Sequence, residues 1–154
     1  MVTIRSATID DLQSLRDLNE QIFVDNFKYD DDIILNFAST PRGEAYFKEA
    51  IKNKNGCFFI AEENGEKIGY VNGEKKDIFY RKSRYFEIND MGVIPKKRGR
   101  GIGKSLLQVI ADWAKKNDYQ RIYINCYAKN KKALRFYQRN GYSEIDICLE
   151  KKIR

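Results

Sequence analysis

The sequence contains no histidine among its 154 residues, and it has only three cysteines, two prolines and one tryptophan. The absence of histidine excludes Ser-His-Asp and Cys-His catalysis and the usual histidine-ligated zinc enzymes. The cysteines Cys57, Cys126 and Cys148 are odd in number and form no C-x-x-C pair, so we expect neither a disulfide framework nor a metal site. Any general base must therefore be a carboxylate, a tyrosine, a lysine or water.

Long apolar runs are also missing. No run approaches the roughly 20 residues needed to span a bilayer, and residues 1–5 lack the basic and apolar blocks of a signal peptide. We therefore expect a cytoplasmic protein with no membrane partner. The length and the 42% content of hydrophobic residues predict one globular domain over residues 1–154.

The net charge of +7 is unevenly distributed along the chain. Residues 1–50 carry 10 acidic and 5 basic side chains, whereas residues 51–154 carry 12 acidic and 24 basic ones. The basic part suits a polyanion such as a nucleic acid or a phosphate-rich cofactor, and the acidic part suits a cationic substrate. The same charges also fit solvated surface faces, and we expect that use for most of them.

Hydrophobic periodicity and turn residues predict an alternating series of elements. The predicted strands are Val2–Ile4, Cys57–Ala61, Lys67–Asn72, Tyr85–Val93, Arg121–Tyr127 and Tyr142–Leu149. The predicted helices run from about Asp10 to Asp25, from Pro41 to the break at Asn55-Gly56, from the Gly99–Gly103 turn onward, and from Asn130 to Arg139. The order β-α-α-β-β-β-α-β-α-β predicts an α/β fold of the mixed, α+β type, in which helices flank both faces of a mixed sheet.

A basic, glycine-rich segment follows the predicted strand that ends at Val93. Residues 98–105 read Arg-Gly-Arg-Gly-Ile-Gly-Lys-Ser, and the first turn of the following helix would offer free N–H groups to a phosphate. A Walker A loop would need glycine in place of Arg98, and the dinucleotide spacing G-x-G-x-x-G is not met. The pattern Arg/Gln-x-x-Gly-x-Gly/Ala fits without a gap at Arg98, Gly101 and Gly103.

A second pattern lies near the C-terminus, where residues 130–142 read Asn-Lys-Lys-Ala-Leu-Arg-Phe-Tyr-Gln-Arg-Asn-Gly-Tyr. With the RGRGIG loop, this N-x-x-A-x-x-F/L-Y-x-x-x-G-F/Y pattern resembles the GNAT family of N-acetyltransferases, and the element order extends the resemblance over nearly the whole chain. The resemblance implies an acyl-CoA-dependent N-acetyltransferase with a GNAT-like sheet. Such an enzyme moves the acetyl group of acetyl-CoA to a primary amine by direct attack in a ternary complex.

The resemblance also assigns the cofactor-binding positions. They are Met91, Gly92, Val93, Arg98, Gly99, Arg100, Gly101, Ile102, Gly103, Lys104, Asn130 and Tyr137. The backbone of residues 91–93 would hold the pantetheine arm, and an N–H there, such as that of Met91, would polarise the thioester carbonyl. Tyr137 would protonate the leaving thiolate, or would only pack on the core. Asn130 would contact the cofactor, or would only cap its helix.

The general base is open between two catalytic candidates, Glu87 and Asp90. Strand alternation predicts that Glu87 and Asn89 share one face of the sheet and that Asp90 lies on the other. A solvated or salt-bridged acid is an equal alternative for each. We expect Cys126 to be a buried structural thiol, because no histidine is present to activate it.

The resemblance places acceptor binding at two loops. The first is an acidic, aromatic linker with Tyr29, Asp30 and Asp31, which would hold a cationic acceptor or would simply form a solvated turn. The second contains Tyr80 beside arginines that suit a peptide carboxylate instead. The acceptor is therefore open between a small-molecule amine and a peptide amine. A homodimer is also open, because members of the family often form dimers.

Two other functions compete with this interpretation. A basic RNA- or ribosome-associated binding module would explain the charge of residues 51–154, but no RNP-like or zinc pattern is present, so we do not expect a nucleic-acid partner. A non-catalytic acyl-CoA-binding homologue would keep the phosphate loop and lose turnover.

Overall fold

Five strands form one sheet in the order β1-β2-β3-β4-β5 in the computed structural model, which describes all residues from Met1 to Arg154. They are β1 (Val2–Ser6), β2 (Gly56–Glu63), β3 (Glu66–Lys76), β4 (Tyr85–Val93) and β5 (Arg121–Ile124). Neighbouring strands are antiparallel except for β4 and β5, which are parallel. The predicted mixed sheet is therefore confirmed.

Four α-helices connect these strands: α1 (Leu12–Phe23), α2 (Pro41–Lys52), α3 (Ile102–Lys116) and α4 (Lys131–Arg139). Local sequence signals explain where they begin. Thr40 caps α2 by accepting a hydrogen bond from the N–H of Gly43 at 3.0 Å, and Pro41 occupies the first turn. The predicted first helix is shorter than expected, because 3₁₀ turns flank α1 on both sides. No helix is long and apolar enough to cross a membrane.

The helices form layers on both faces of the sheet, as predicted. Tyr70 of β3 is fully buried, stacks edge-on against Phe47 of α2 at 6.4 Å, and accepts a hydrogen bond from Asn19 of α1 at 2.6 Å. A Cβ atom built on the preceding Gly69 would instead lie 3.4 Å from Leu106 of α3. Since successive residues of a strand project to opposite faces, α1 and α2 lie on one side and α3 on the other.

The end of the chain corrects two predictions. β5 ends at Ile124 rather than at Tyr127, and the predicted strand Tyr142–Leu149 does not form. Residues 143–154 make no backbone–backbone hydrogen bonds, and Ile147 and Leu149 are 84% and 92% exposed. The alternation of apolar residues there specifies side-chain faces but supplies no pairing partner, and a strand needs both.

Candidate active site

β4 and β5 separate halfway along β4, and the separation opens a cleft in the sheet. Tyr85–Ile88 pairs with Arg121–Ile124, where β5 ends, while β4 continues to Val93. Residues 90–93 pair with β3 on one side and have no strand on the other. The backbone N–H and C=O groups on that side are available to a ligand that runs along the strand, except the Val93 carbonyl, which accepts from Arg98.

The turn between β4 and α3 has the backbone of an anion site. Gly99 and Gly101 have φ angles of 77° and 81°, in the left-handed region that favours glycine. A Cβ atom on either would meet nothing within 4 Å, so the space beside this backbone is open. The N–H groups of residues 99–104 donate to no backbone carbonyl. These uncommitted donors lie at the positive end of the 15-residue helix α3, as the sequence predicted.

Arg98 fastens this loop to the rest of the protein. Its Nε donates to the carbonyl oxygen of Val93 at 2.8 Å, and its Nη1 pairs with Asp25 at 3.2 Å. The guanidinium therefore closes the end of β4 against the segment that follows α1. In this arrangement Arg98 positions the loop.

Arg100 is held on the other side of the loop. It forms two hydrogen bonds with Glu63 of β2, at 2.6 and 3.0 Å, and Lys97 pairs with the same carboxylate at 2.6 Å. The hydrogen bonds from Arg100, which has the larger effect, and from Lys97 lower the pKa of Glu63 to about 2. Lys104 is exposed and forms no ion pair. The groups of the loop without a protein partner are thus the backbone N–H groups of residues 99–104 and the Lys104 ammonium.

Three other predicted cofactor positions, Gly92, Gly103 and Met91, pack closely against neighbouring side chains beside the cleft. A Cβ atom on Gly92 would lie 2.2 Å from Ile22 of α1, so this glycine lets the helix approach β4. A Cβ atom on Gly103 would lie 3.2 Å from Phe136 of α4 and 3.8 Å from Met91. The glycines therefore bring the layers together around the open edge of β4.

The two candidate bases share one face of the sheet, so the predicted separation of Glu87 and Asp90 is wrong. Asp90 lies opposite Asn72, and Glu87 lies opposite Glu74, two residues further along β3. The register shifts by one residue between these pairs, with Asn89 as the extra residue of β4. Such a bulge reverses the alternation that the sequence pattern assumes.

Asp90 belongs to a partly buried hydrogen-bonded group with Tyr46 and the buried Asn72. The Tyr46 hydroxyl donates to Asp90 Oδ2 at 2.6 Å, and Asn72 Nδ2 donates to the Tyr46 oxygen at 3.3 Å. Burial raises the pKa of Asp90 to about 6, although the hydrogen bond from Tyr46 acts in the opposite direction. Sequence reasoning missed Tyr46 and Asn72. The one available signal is that Asn72 directly follows the apolar run Ile68–Val71.

Glu87 has a different environment. Lys76 of β3 forms an ion pair with its Oε2 at 2.9 Å, and both side chains are partly buried. The ammonium therefore occupies the carboxylate oxygen that a substrate would have to approach. Glu87 is thus engaged in an ion pair, whereas Asp90 forms its hydrogen bond with the Tyr46 hydroxyl and pairs with no cation.

Tyr137 of α4 lies near Cys126, which follows β5. Its ring packs against Phe136 and Tyr142, its hydroxyl makes no hydrogen bond within the protein, and burial raises its pKa. The phenol is therefore fully protonated at neutral pH. Cys126 is exposed rather than buried as expected, because β5 ends before it. Although the residue is largely exposed, partial burial of its thiol group and the nearby Glu144 raise its pKa, so it is not an activated nucleophile.

Asn130 caps α4, because its Oδ1 accepts from the N–H of Ala133 at 3.0 Å. The cap accounts for the side-chain oxygen and leaves its Nδ2 without a protein acceptor. Both uses considered for this residue are therefore compatible with the structure.

None of the predicted acceptor residues forms a hydrogen bond with Asp90. Tyr127, which follows β5, donates to Asp30 at 2.9 Å and stacks on Tyr29 at 6.0 Å. Burial and Asp30 raise the pKa of Tyr127 to about 12. Asp31 and Tyr80 are exposed, Tyr80 to 83%. This hydrogen bond joins the linker to the segment that follows β5, so Asp30 is not a free carboxylate.

Comparison with known proteins decides the family. The model of the acetyltransferase (GNAT) family matches residues 11–142, which include both the phosphate loop and α4. The chain belongs to the GNAT family. It is an acyl-CoA-dependent N-acetyltransferase, and acetyl-CoA is its cosubstrate.

Two curated relatives of this GNAT enzyme bear the same activity in their names. It is 34% identical over 110 residues to the uncharacterised N-acetyltransferase YhfO of Bacillus subtilis, an alignment that covers 69% of this chain and 74% of the relative. It is 30% identical over 153 residues to the uncharacterised N-acetyltransferase MJ1207 of Methanocaldococcus jannaschii, covering 94% of this chain and 62% of the relative.

A solved structure shares the fold. It is a protein from Clostridium acetobutylicum described as a predicted acetyltransferase with acetyl-CoA, with a TM-score of 0.76 and 22% identity over 99% of this chain and 97% of that chain. This likeness extends over the sheet and both helical layers, so it supports the fold described above.

Proposed function

We propose that this GNAT enzyme transfers the acetyl group of acetyl-CoA directly to a primary amine held in the same ternary complex. The proposal rests on one observation, that the phosphate loop and the open edge of β4 follow one another along the chain. The uncommitted N–H groups of residues 99–104 adjoin the open edge of β4 at residues 90–93. A phosphate-bearing chain bound at the loop can therefore extend along the strand toward Asp90.

Each part of the site has a distinct task in the proposed reaction. Acetyl-CoA supplies an acetyl thioester, which an amine can attack. The loop N–H groups and Lys104 bind the pyrophosphate, and the backbone at residues 91–93 orients the pantetheine arm. An N–H of this edge, such as that of Met91, donates to the thioester carbonyl and stabilises the negative charge that develops there.

Asp90 is the proposed base. A primary ammonium must lose a proton before it can attack, and a carboxylate with a pKa of about 6 is ionised at neutral pH yet accepts a proton readily. Tyr46 holds Asp90 Oδ2, so the carboxylate has a fixed orientation. Tyr137 is the proposed acid, because its protonated hydroxyl has no internal partner and can donate to the departing thiolate.

The location of the protein is part of the same proposal. The three cysteines are free, and two of them are exposed. Unpaired exposed thiols suit a reducing compartment, which supports a cytoplasmic enzyme.

Replacing Tyr137 with phenylalanine tests the acid. We expect kcat to fall about 100-fold, because general acid catalysis contributes about 10² to 10⁴ in rate. The dissociation constant of acetyl-CoA should change less than threefold, since the ring packing is retained. Single-turnover kinetics and a calorimetric titration measure the two quantities. Tyr142→Phe, which alters the neighbouring phenol, is the matched control and should leave kcat within about twofold.

An acceptor screen tests the function as a whole. The protein is incubated with acetyl-CoA and each of a set of monoamines, diamines, aminoglycosides, amino acids and peptide N-termini, and the released CoA thiol is titrated. The proposal predicts release with one class of amine that depends on Asp90. If no amine releases CoA above the hydrolysis rate while acetyl-CoA still binds, the chain is an acyl-CoA-binding homologue without transferase activity.

A further inference from the structure

A cavity of about 560 Å³ lies between α2 and the strands β3 and β4. It is on the same face of the sheet as Asp90, and no residue of the phosphate loop contributes to it. Its polar lining consists mainly of Tyr46, Glu49, Asn53, Asn72, Glu74 and Asn89. The cavity therefore begins at the hydroxyl that holds the proposed base and leads away from it along β3.

Asn72 in this lining carries an unsatisfied acceptor. The residue is 1% exposed, and its Nδ2 donates to the Tyr46 oxygen, but its Oδ1 has no hydrogen-bond partner. No other buried side-chain nitrogen or oxygen in the protein lacks a partner. Leaving a buried acceptor unpaired costs about 1–3 kcal/mol, so the position calls for a donor from outside the chain.

Glu74 presents a second acceptor group in the cavity. Its two carboxylate oxygens accept from Asn53 at 2.7 Å and from Asn89 at 3.2 Å, and no lysine or arginine pairs with it. The two amides fix the carboxylate but leave its negative charge uncompensated. In a chain with a net charge of +7, an oriented carboxylate without a cation is a favourable place for a ligand ammonium.

The other charged groups of the lining do not cancel this preference. Lys48 is paired with Glu44 on the same helix, and Glu49 forms no ion pair. Lys52 is the one lining cation without a partner, and it is exposed, as are Glu49 and Glu74. Glu49, Glu74 and Asp90, which lies behind Tyr46, therefore face one unpaired cation, Lys52, so the cavity has more carboxylates than unpaired cations.

We propose that this cavity binds an α,ω-diamine acceptor, with the reacting nitrogen at Asn72 Oδ1 beside Asp90 and the second ammonium at Glu74. Asn72 and Glu74 are two residues apart on one strand, which is a spacing of about 7 Å. A chain of four carbons between two nitrogens spans this distance. The inference rests on the proposed N-acetyltransferase function and names its acceptor class.

Comparison of 1,4-diaminobutane with 1-aminobutane tests the proposal, because the two differ by one amine. For the unaltered protein we expect kcat/KM to be at least tenfold higher for the diamine. Glu74→Gln should reduce the value for the diamine to that for the monoamine, while KM for acetyl-CoA stays the same. Asp112→Asn, which removes an exposed carboxylate from α3, is the matched control and should change neither value.

Direct binding of 1,4-diaminobutane, measured by calorimetry in the presence of CoA, gives a readout that needs no turnover. Glu74→Gln should weaken it about tenfold or more. Equal kcat/KM values for the two amines, or unchanged binding in Glu74→Gln, would overturn the diamine assignment. Transfer to another amine class would then leave the acetyltransferase function intact, whereas absence of both acetyl-CoA binding and transfer would refute the function itself.

Discussion

Gly101→Ala is expected to weaken acetyl-CoA binding about tenfold or more. Gly101 has a φ angle of 81°, and the left-handed conformation costs a residue with a Cβ atom about 1–2 kcal/mol. If the loop relaxes to escape this strain, its N–H groups no longer point in a common direction. Binding of acetyl-CoA must then return the loop to the strained conformation, and the strain energy weakens the affinity. Because 1.4 kcal/mol corresponds to a factor of ten, this cost alone predicts a change of roughly that size.

Gly65→Ala is the matched control for this variant. Gly65 has a φ angle of 79° in the turn between β2 and β3, and a Cβ atom there also meets nothing within 4 Å. Both variants should lower the free energy of unfolding by a similar amount, as denaturant titrations would show. Calorimetry should find weakened acetyl-CoA binding in Gly101→Ala alone, and equal affinities in the two variants would contradict a role for the loop in binding phosphate.

Asp90→Asn is expected to reduce kcat/KM for the amine by a factor of about 100 or more. An asparagine can still accept the hydrogen bond from Tyr46, so the packing is kept and only the proton acceptor is lost. In the unaltered enzyme kcat/KM should decrease as the pH falls below about 6, where Asp90 becomes protonated. The residual activity of the variant should lack this decrease.

The same substitution should not destabilise the protein at neutral pH. The folded-state pKa of Asp90 is about 6, whereas an unfolded aspartate has a pKa of about 3.9. The folded protein therefore binds an extra proton between these values, and its free energy of unfolding decreases as the pH rises from about 4 to 6. Asp90→Asn removes that loss, so its melting temperature at pH 7 should equal or exceed that of the unaltered protein.

Glu87→Gln provides the comparison for the choice of base. Its carboxylate is paired with Lys76, so the substitution should change kcat/KM less than about threefold. A large loss in Glu87→Gln with little loss in Asp90→Asn would reverse the assignment. Parallel pH–rate profiles of the two variants measure both outcomes.

The cofactor half of the site could be predicted from sequence because it is local. The glycines at 99, 101 and 103 are contiguous with the start of α3, and the chemistry of a helix N-terminus follows from the backbone alone. The side chains of Arg98 and Arg100 could not be placed in this way. Their partners Asp25 and Glu63 lie on other elements, so no local pattern indicates that the arginines fasten the loop.

The acceptor half depends on tertiary contacts that no spacing reveals. Tyr46, Asn72 and Asp90 come from α2, β3 and β4, and only the folded sheet brings them together. The bulge at Asn89 then places Asp90 on the face that simple alternation assigns to Glu87. The contacts of the acidic linker were also hidden from the sequence, because composition does not reveal that Asp30 accepts a hydrogen bond from Tyr127, 97 residues away.

Hydrogen exchange of backbone amides, with and without saturating acetyl-CoA, tests the central claim most directly. The N–H groups of residues 99–104 donate to no backbone carbonyl in the structure and should exchange quickly in the free protein. Binding should slow their exchange and that of the β4 edge at residues 90–93, with no comparable change in the turn at Gly65. Unchanged exchange at residues 99–104 under saturating acetyl-CoA would contradict the account.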